Sequence, residues 1–332
     1  MPANQRPRSR ILGTGAYVPE RVLSNFDLEK MVDTSDQWIR ERTGIRERRI
    51  AQPEEATSDM AFRAARRALE AAGLQPKDLD MIVVGTITPD MQMPACAAFL
   101  QHKLGITDVP AFDVSAACAG FVYALSIGDQ FIRSGMHKHV LVVGAELLSR
   151  ILDWEDRTTC VLFGDGAGAA VLGPAGEDGR GVLSTKLYTD STLLESLCIR
   201  AGGSKERITP ESLEKKRDKV FMNGADIFKV AVKNLTRASA SALTDAALGP
   251  SEVRWVVPHQ ANMRIISQVA QRLDIPLDRF VLNIDRYGNT SSASIPIALD
   301  EAVRDGRIQP NDTVLMCALG GGISWASALV RM

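Results

Sequence analysis

What the 332-residue chain has little of narrows the reading first. Aromatic residues make up 5% of it, histidine occurs four times and cysteine five. The cysteines (Cys96, Cys118, Cys160, Cys198 and Cys317) are scattered, odd in number and form no CxxC pair. That argues against a disulfide framework or a zinc site and fits reduced thiols. No uninterrupted apolar run approaches the ~20 residues of a membrane span, and the opening MPANQRPRSR lacks the apolar centre of a secretory leader. The expected compartment is the cytoplasm. An excess of one charge is also missing: 39 Lys and Arg stand against 40 Asp and Glu, a net charge of −1. Nothing global therefore draws the chain to nucleic acid or to a membrane surface.

What is present is an ordinary globular composition, 45% hydrophobic and 24% charged, at a length that suggests roughly two domains. The chain also resembles itself. ALEAAGLQPKDLDMIVVGT (68–86) and ALTDAALGPSEVRWVVPHQ (242–260) align without a gap at an offset of 174 residues. The same offset pairs CAGFVYAL (118–125) with SASIPIAL (292–299), and VLVV (140–143) with VLMC (314–317). In each case a helix-like stretch leads into a buried strand run. Two halves of one α/β design are expected, each built around a mostly parallel sheet. GDGAGAAVL (164–172) and GGGISWASALV (320–330) match only if the first half carries about 16 extra residues near 145–160. A second irregular, charge- and glycine-rich piece is expected over 185–220, covering the surface between the halves. The expected boundaries are a tail at 1–9, a first half at 10–175 and a second at 176–332.

Cys118 stands in DVSAACAGFVYAL, where an extended run turns into a helix. Alone it reads equally as a small buried hydrophobe; at a helix start it would gain thiolate character from the N-terminal N–H groups. His259 follows an apolar strand run in VVPHQANMRII, at the strand end where open α/β sheets keep their crevices. Asn289 in DRYGNTSSAS reads alone as a turn before an N-cap. The glycine-rich pieces GTGAY and GDGAGA do not open a helix after a strand, and no P-loop occurs, so nucleotide-binding readings are weak.

Together these pieces resemble the thiolase-fold condensing enzymes, and within them the β-ketoacyl-[acyl carrier protein] synthase III family. The resemblance runs from about residue 10 to the C-terminus through TSDQWIRERTGIRERR, AACAGF, FGDGAGAAVL, VPHQANMRII, RYGNTSSAS and ALDEAVRDGRI. It implies a thiolase-like α/β fold, two pseudo-duplicated halves packed in an αβαβα layering. It implies decarboxylative condensation of an acyl-CoA primer, with acetyl-CoA the expected one, and malonyl-acyl carrier protein, through an acyl-cysteine. Cys118 would be the nucleophile, His259 and Asn289 the donors to the malonyl thioester carbonyl, and the N–H groups of Cys118 and Gly322 the oxyanion hole. Thr34, Trp38, Arg42 and Arg157 match coenzyme A contacts, although Arg42 and Arg157 alone would read as solvated charge. Lys229 and Arg264 match a carrier-protein patch. Neither a metal nor a cofactor is implied, acyl-CoA being substrate, and a homodimer is.

Met93 departs from the family's commoner Phe at the position that caps the partner's acyl pocket, which leaves primer length open. Trp154, in the inserted piece, is a candidate for narrowing the coenzyme A entrance. A thiolase would carry a second active cysteine in a CxG turn, but Cys317 is followed by Ala-Leu-Gly. A hydroxymethylglutaryl-CoA synthase would need an acidic base, and no glutamate neighbours the motifs along the sequence. A related acyltransferase of secondary metabolism, using another primer or acceptor, is the alternative within the fold. A papain-type Cys–His hydrolase and a non-catalytic binding module are the readings outside it.

Overall fold

The computed structural model describes residues 9–332. Most of the expected tail, residues 1–8, lies outside the described residues, and Ser9 already belongs to the first strand. Strands β1 (Ser9–Tyr17), β2 (Met81–Gly85), β3 (Ala111–Val114), β4 (Val140–Glu146) and β5 (Gly166–Pro174) form one sheet in the order β1-β5-β4-β2-β3. Strands β6 (Gly181–Thr189), β7 (Trp255–Pro258), β8 (Thr313–Gly320) and β9 (Ser324–Arg331) form a second in the order β7-β8-β9-β6. The major helices are α1 (Asp36–Thr43), α2 (Thr57–Ala72), α3 (Cys96–Leu104), α4 (Gly120–Arg133), α5 (Gly224–Asp245), α6 (Met263–Leu273) and α7 (Ser294–Arg304).

The internal repeat is visible in the topology. β6-β9-β8-β7 repeats β1-β5-β4-β2, and α7 begins 174 residues after α4, as β7 begins 174 residues after β2. The counterpart of β3 is reduced to a single bridge between Val256 and Phe280. Both sheets are mixed rather than mostly parallel. β4 lies parallel to β2 and antiparallel to β5, while β8 lies parallel to β7 and antiparallel to β9. The reason is the connection: β8 returns directly into β9 through Gly321–Ile323, and a strand that returns without a crossover pairs antiparallel. β5 follows β4 likewise, but over 19 intervening residues where β8 and β9 are separated by 3, a difference of 16. This is the insertion read from the repeat. The irregular piece starts later than expected, because 185–189 still belongs to β6.

Strand alternation explains the layering. Val140 and Val142 of β4, with Val314, Met316 and Ala318 of β8, face a core shared with Phe121 and Leu125 of α4 and Ile295 and Leu299 of α7. Leu141 and Val143 point the other way, onto Met60, Ala64 and Ala68 of α2 and Leu100 of α3. Leu315, Cys317 and Leu319 meet Leu235 and Ala238 of α5 and Val269 of α6. Five layers result: helices, sheet, helices, sheet, helices. Strands buried on both faces must read as near-continuous apolar runs, as VLVVGA and VLMCAL do. The central helices α4 and α7 come from different halves, so their N-termini, with Cys118 and the 289–294 segment ahead of them, meet between the two sheets.

Candidate active site

Cys118 lies in a single turn of 3₁₀ helix, Ala117–Ala119, between β3 and α4. Its pseudo-equivalent turn, Ser291–Ala293, precedes α7. Ala117 and Ser291 both sit at positive φ, 46° and 49°, a backbone setting that non-glycine residues seldom adopt. The same sharp elbow is thus built twice. The two elbows touch: a β-carbon on Gly120 would lie 3.1 Å from Gly85 Cα and 3.3 Å from Ser292 Cβ. From the β8 side, a β-carbon on Gly320 would lie 2.5 Å from Cys118 N. Glycine is required there because the strand end packs directly on the Cys118 turn.

Cys118 is 7% exposed, whereas Cys96, Cys160 and Cys317 are fully buried. It opens onto a cavity of about 370 Å³ lined by Ile87, Leu148, Phe163, Leu197, Ser291 and Gly322, among others. The irregular piece covers this cavity: Leu197–Ile199 pairs with Val220–Met222 across its mouth. Burial pushes the Cys118 thiol up to about 12; the Ser291 hydroxyl opposes that shift and Glu146 adds to it. The expected thiolate at the helix start is therefore corrected to a neutral resting thiol. Desolvation outweighs the helix end, because α4 proper starts two residues later.

His259 extends β7 by one step, its N–H donating to Cys317 O at 2.8 Å. Its Nδ1 lies 2.7 Å from Ser294 Oγ at the start of α7. Burial pulls its pKa down to about 3, so the ring is neutral. Asn289 Oδ1 accepts the Ser291 N–H at 2.8 Å, and its Nδ2 makes no hydrogen bond among the described residues. Two of the three are tied to one short segment, Asn289 to Ser291 and His259 to Ser294, and Ser291 lines the Cys118 cavity. They do not line one wall. His259 faces a separate recess of about 30 Å³ beside Cys317 and Leu319, whereas Gly322, at φ 118°, shares the Cys118 cavity.

Trp38 lies on α1, whose N-cap Ser35 accepts the Trp38 N–H at 3.1 Å. The guanidinium groups of Arg42 and Arg157 sit over its ring at 5.1 and 5.3 Å. Arg157 also donates to Asp33 O at 2.8 Å. Thr34 Oγ1, next to Asp33, is buried without a hydrogen-bond partner among the described residues. Sequence reasoning placed these four residues by motif, and the structure brings them together. Trp154 packs beside Leu148 and Phe163, and its N–H donates to Ser149 O at 3.2 Å. Lys229 on α5 and Arg264 on α6 are exposed and without a carboxylate partner among the described residues; Arg264 lies over Phe228 at 5.6 Å. Met93 is 84% exposed and lines no part of the Cys118 cavity of its own chain.

Glu146 is the residue that sequence reading missed. It ends β4, fully buried; its carboxylate accepts from Thr88 Oγ1 at 2.7 Å and Ser291 Oγ at 3.2 Å, and Ser292 Oγ, which donates to Gly85 O at 2.7 Å, lies 3.1 Å away. A glutamate thus does neighbour the motifs, through space. The only signal was an acidic residue closing an apolar strand, in VLVVGAE.

Residues 112–191 match the family described as 3-oxoacyl-[acyl-carrier-protein] synthase III, and residues 243–332 match its C-terminal part. The chain is 52% identical over 321 residues to the β-ketoacyl-[acyl-carrier-protein] synthase III of Caldanaerobacter subterraneus subsp. tengcongensis, covering 97% of each. It superposes with a TM-score of 0.90 on the 3-oxoacyl-[acyl-carrier-protein] synthase III of Aquifex aeolicus VF5, at 48% identity, covering 98% of this chain and 100% of that one. A priming β-ketosynthase from the R1128 polyketide pathway superposes with a TM-score of 0.91 at 40% identity, covering 98% and 97%.

Proposed function

The chain belongs to the 3-oxoacyl-[acyl-carrier-protein] synthase III family of thiolase-fold condensing enzymes, and from that premise we propose how its residues carry the initiating condensation of fatty acid biosynthesis. Acyl transfer from coenzyme A to Cys118 gives an acyl-enzyme whose thioester stays activated, since one thioester replaces another. The carrier protein then delivers a malonyl thioester; loss of carbon dioxide leaves an enolate, which attacks the acyl-cysteine. The half at 10–175 supplies the nucleophile and the half at 176–332 supplies the two donors.

The observation that carries this reading is that one short segment, 289–294, holds Asn289 and His259 and lines the apolar cavity of Cys118 through Ser291. In this reading Ser294 Oγ donates to His259 Nδ1, which leaves the imidazole proton on Nε2. A ring neutral at working pH keeps that donor without adding a charge. Ser291 N–H occupies Asn289 Oδ1 and so orients the amide with Nδ2 outward. Two fixed neutral donors suit a developing enolate oxygen, at about 3 kcal/mol each. The Cys118 and Gly322 N–H groups hold the oxyanion of the tetrahedral intermediate.

In the same reading the adenine of coenzyme A displaces Arg157 from the Trp38 face and the unpartnered Thr34 hydroxyl finds an acceptor. Arg42 meets the phosphates, and the unpaired cations Lys229 and Arg264 receive the acidic carrier protein. Met93, apolar and projecting, reaches the partner's cavity in a homodimer. Acetyl-CoA is the expected primer.

Incubation with acetyl-CoA should add one acetyl group to Cys118 by mass spectrometry, and malonyl-carrier protein should then release carbon dioxide. His259→Ala or Asn289→Ala should still be acylated while decarboxylation falls about 10²–10³-fold. Acylation without carbon dioxide release in the wild type would move the assignment to an acyltransferase with another acceptor. No acylation at all would end both.

A further inference from the structure

Neutral Cys118 must lose a proton when it is acylated, and the imidazole of His259 is too weak a base to take it. The molecule holds a better acceptor nearby. Glu146 is buried at the C-terminal end of β4, and four donors converge on its carboxylate: Thr86 Oγ1, Ile87 N, Thr88 Oγ1 and Ser291 Oγ. Four donors for one carboxylate, without a cation paired to it among the described residues, is a costly arrangement for a purely structural group. Ser291 belongs to both sides: its hydroxyl lies 3.2 Å from Glu146 Oε1, and it lines the cavity onto which Cys118 opens.

We propose that Glu146 is a positioning residue for the Cys118 thiol and, through the Ser291 hydroxyl, takes up the proton that the sulfur loses on acylation. The balance is closed. The S–H bond breaks as the S–C(acyl) bond forms, the thiol proton passes to Ser291 Oγ, and the serine proton passes to the carboxylate. When the tetrahedral intermediate collapses, the departing coenzyme A thiolate leaves with a proton and the carboxylate is restored. Burial raises the Glu146 pKa to about 7, against the hydrogen bonds that lower it, so the group gains and loses a proton in the working range. The titratable groups facing it are Cys118 from the nucleophile turn and Cys96 from α3. The 86–88 loop and the 291–292 turn present hydroxyls and N–H groups alone. The acylation step rests on the function proposed above; the coupling of carboxylate and thiol does not, and the experiment separates them.

The rate of Cys118 alkylation by iodoacetamide, followed by peptide mapping to set it apart from the half-buried Cys198, would be measured against pH. In the wild type it should rise about tenfold per pH unit and break near pH 7, then level before direct ionisation takes over. Glu146→Gln should abolish the break, and its acylation by acetyl-CoA above that pH should fall about a hundredfold. Glu146→Asp should restore part of the break. Ser291→Ala leaves the carboxylate its other donors and should slow both reactions at least about tenfold, which keeps the proposal open to test if Glu146→Gln fails to fold. A break that persists in Glu146→Gln, or wild-type rates in Ser291→Ala, would overturn it. A wild type that shows the break with iodoacetamide but takes no acetyl group would sink the function and leave the coupling standing.

Discussion

His259 and Glu146 are buried ionisable groups that answer the cost of burial in opposite directions, and stability should record both. The His259 pKa is lowered from 6.5 to about 3, so the unfolded chain binds more protons between those values and stability rises with pH across them. The Glu146 pKa is raised from 4.5 to about 7, so the folded chain holds more protons there and stability falls as pH rises across that window. The two oppose each other between 4.5 and 6.5. Below 4.5 the histidine contribution stands alone of the pair. His259→Gln should therefore lose less stability on acidification than the wild type, by up to about 4 kcal/mol, in urea midpoints measured across the acid range. Parallel curves for the two proteins would contradict a neutral buried imidazole.

At the scale of elements, the repeated elbow is the unit that matters. A strand, a turn with one residue at positive φ and a central helix occur at Ala117–Ala119 and again at Ser291–Ala293. Their helices share one core. Gly320 presses on this pair from the end of β8. Gly320→Ala should cost about 1–3 kcal/mol of stability by overpacking and should slow acylation of Cys118 out of proportion, since the added methyl meets the Cys118 N–H itself. Thermal unfolding and acetyl incorporation measured on the same preparation would separate the two effects. The periodicity of β4 and β8 was open to reading as buried strand, but the antiparallel return into β5 and β9 was not, because apolar runs carry no direction.

Across the whole molecule, groups far apart along the chain meet at the edges of the central layer. Trp38 and Arg157 are brought face to face by the inserted loop between β4 and β5. Trp38→Ala should raise the KM for acyl-CoA about tenfold, roughly 1.4 kcal/mol, with kcat little changed, because the stacking contact is made equally before and during reaction. Met93 tests the assembly: Met93→Asp should shift the protein toward monomer in sedimentation and lower activity with it, if the projecting side chain is covered by a second copy. A monomeric wild type would remove that role.

The order of motifs along the chain, the 174-residue repeat and the alternation of the strands were determined by the sequence itself, because periodicity and spacing are local properties. They carried the two-half α/β design and the place of Cys118 where a strand run turns into a helix. The tertiary structure alone decided the protonation of Cys118 and of His259 and the place of Glu146. Each depends on desolvation and on partners more than thirty residues away, and burial is a property of the packed interior that no window of sequence contains.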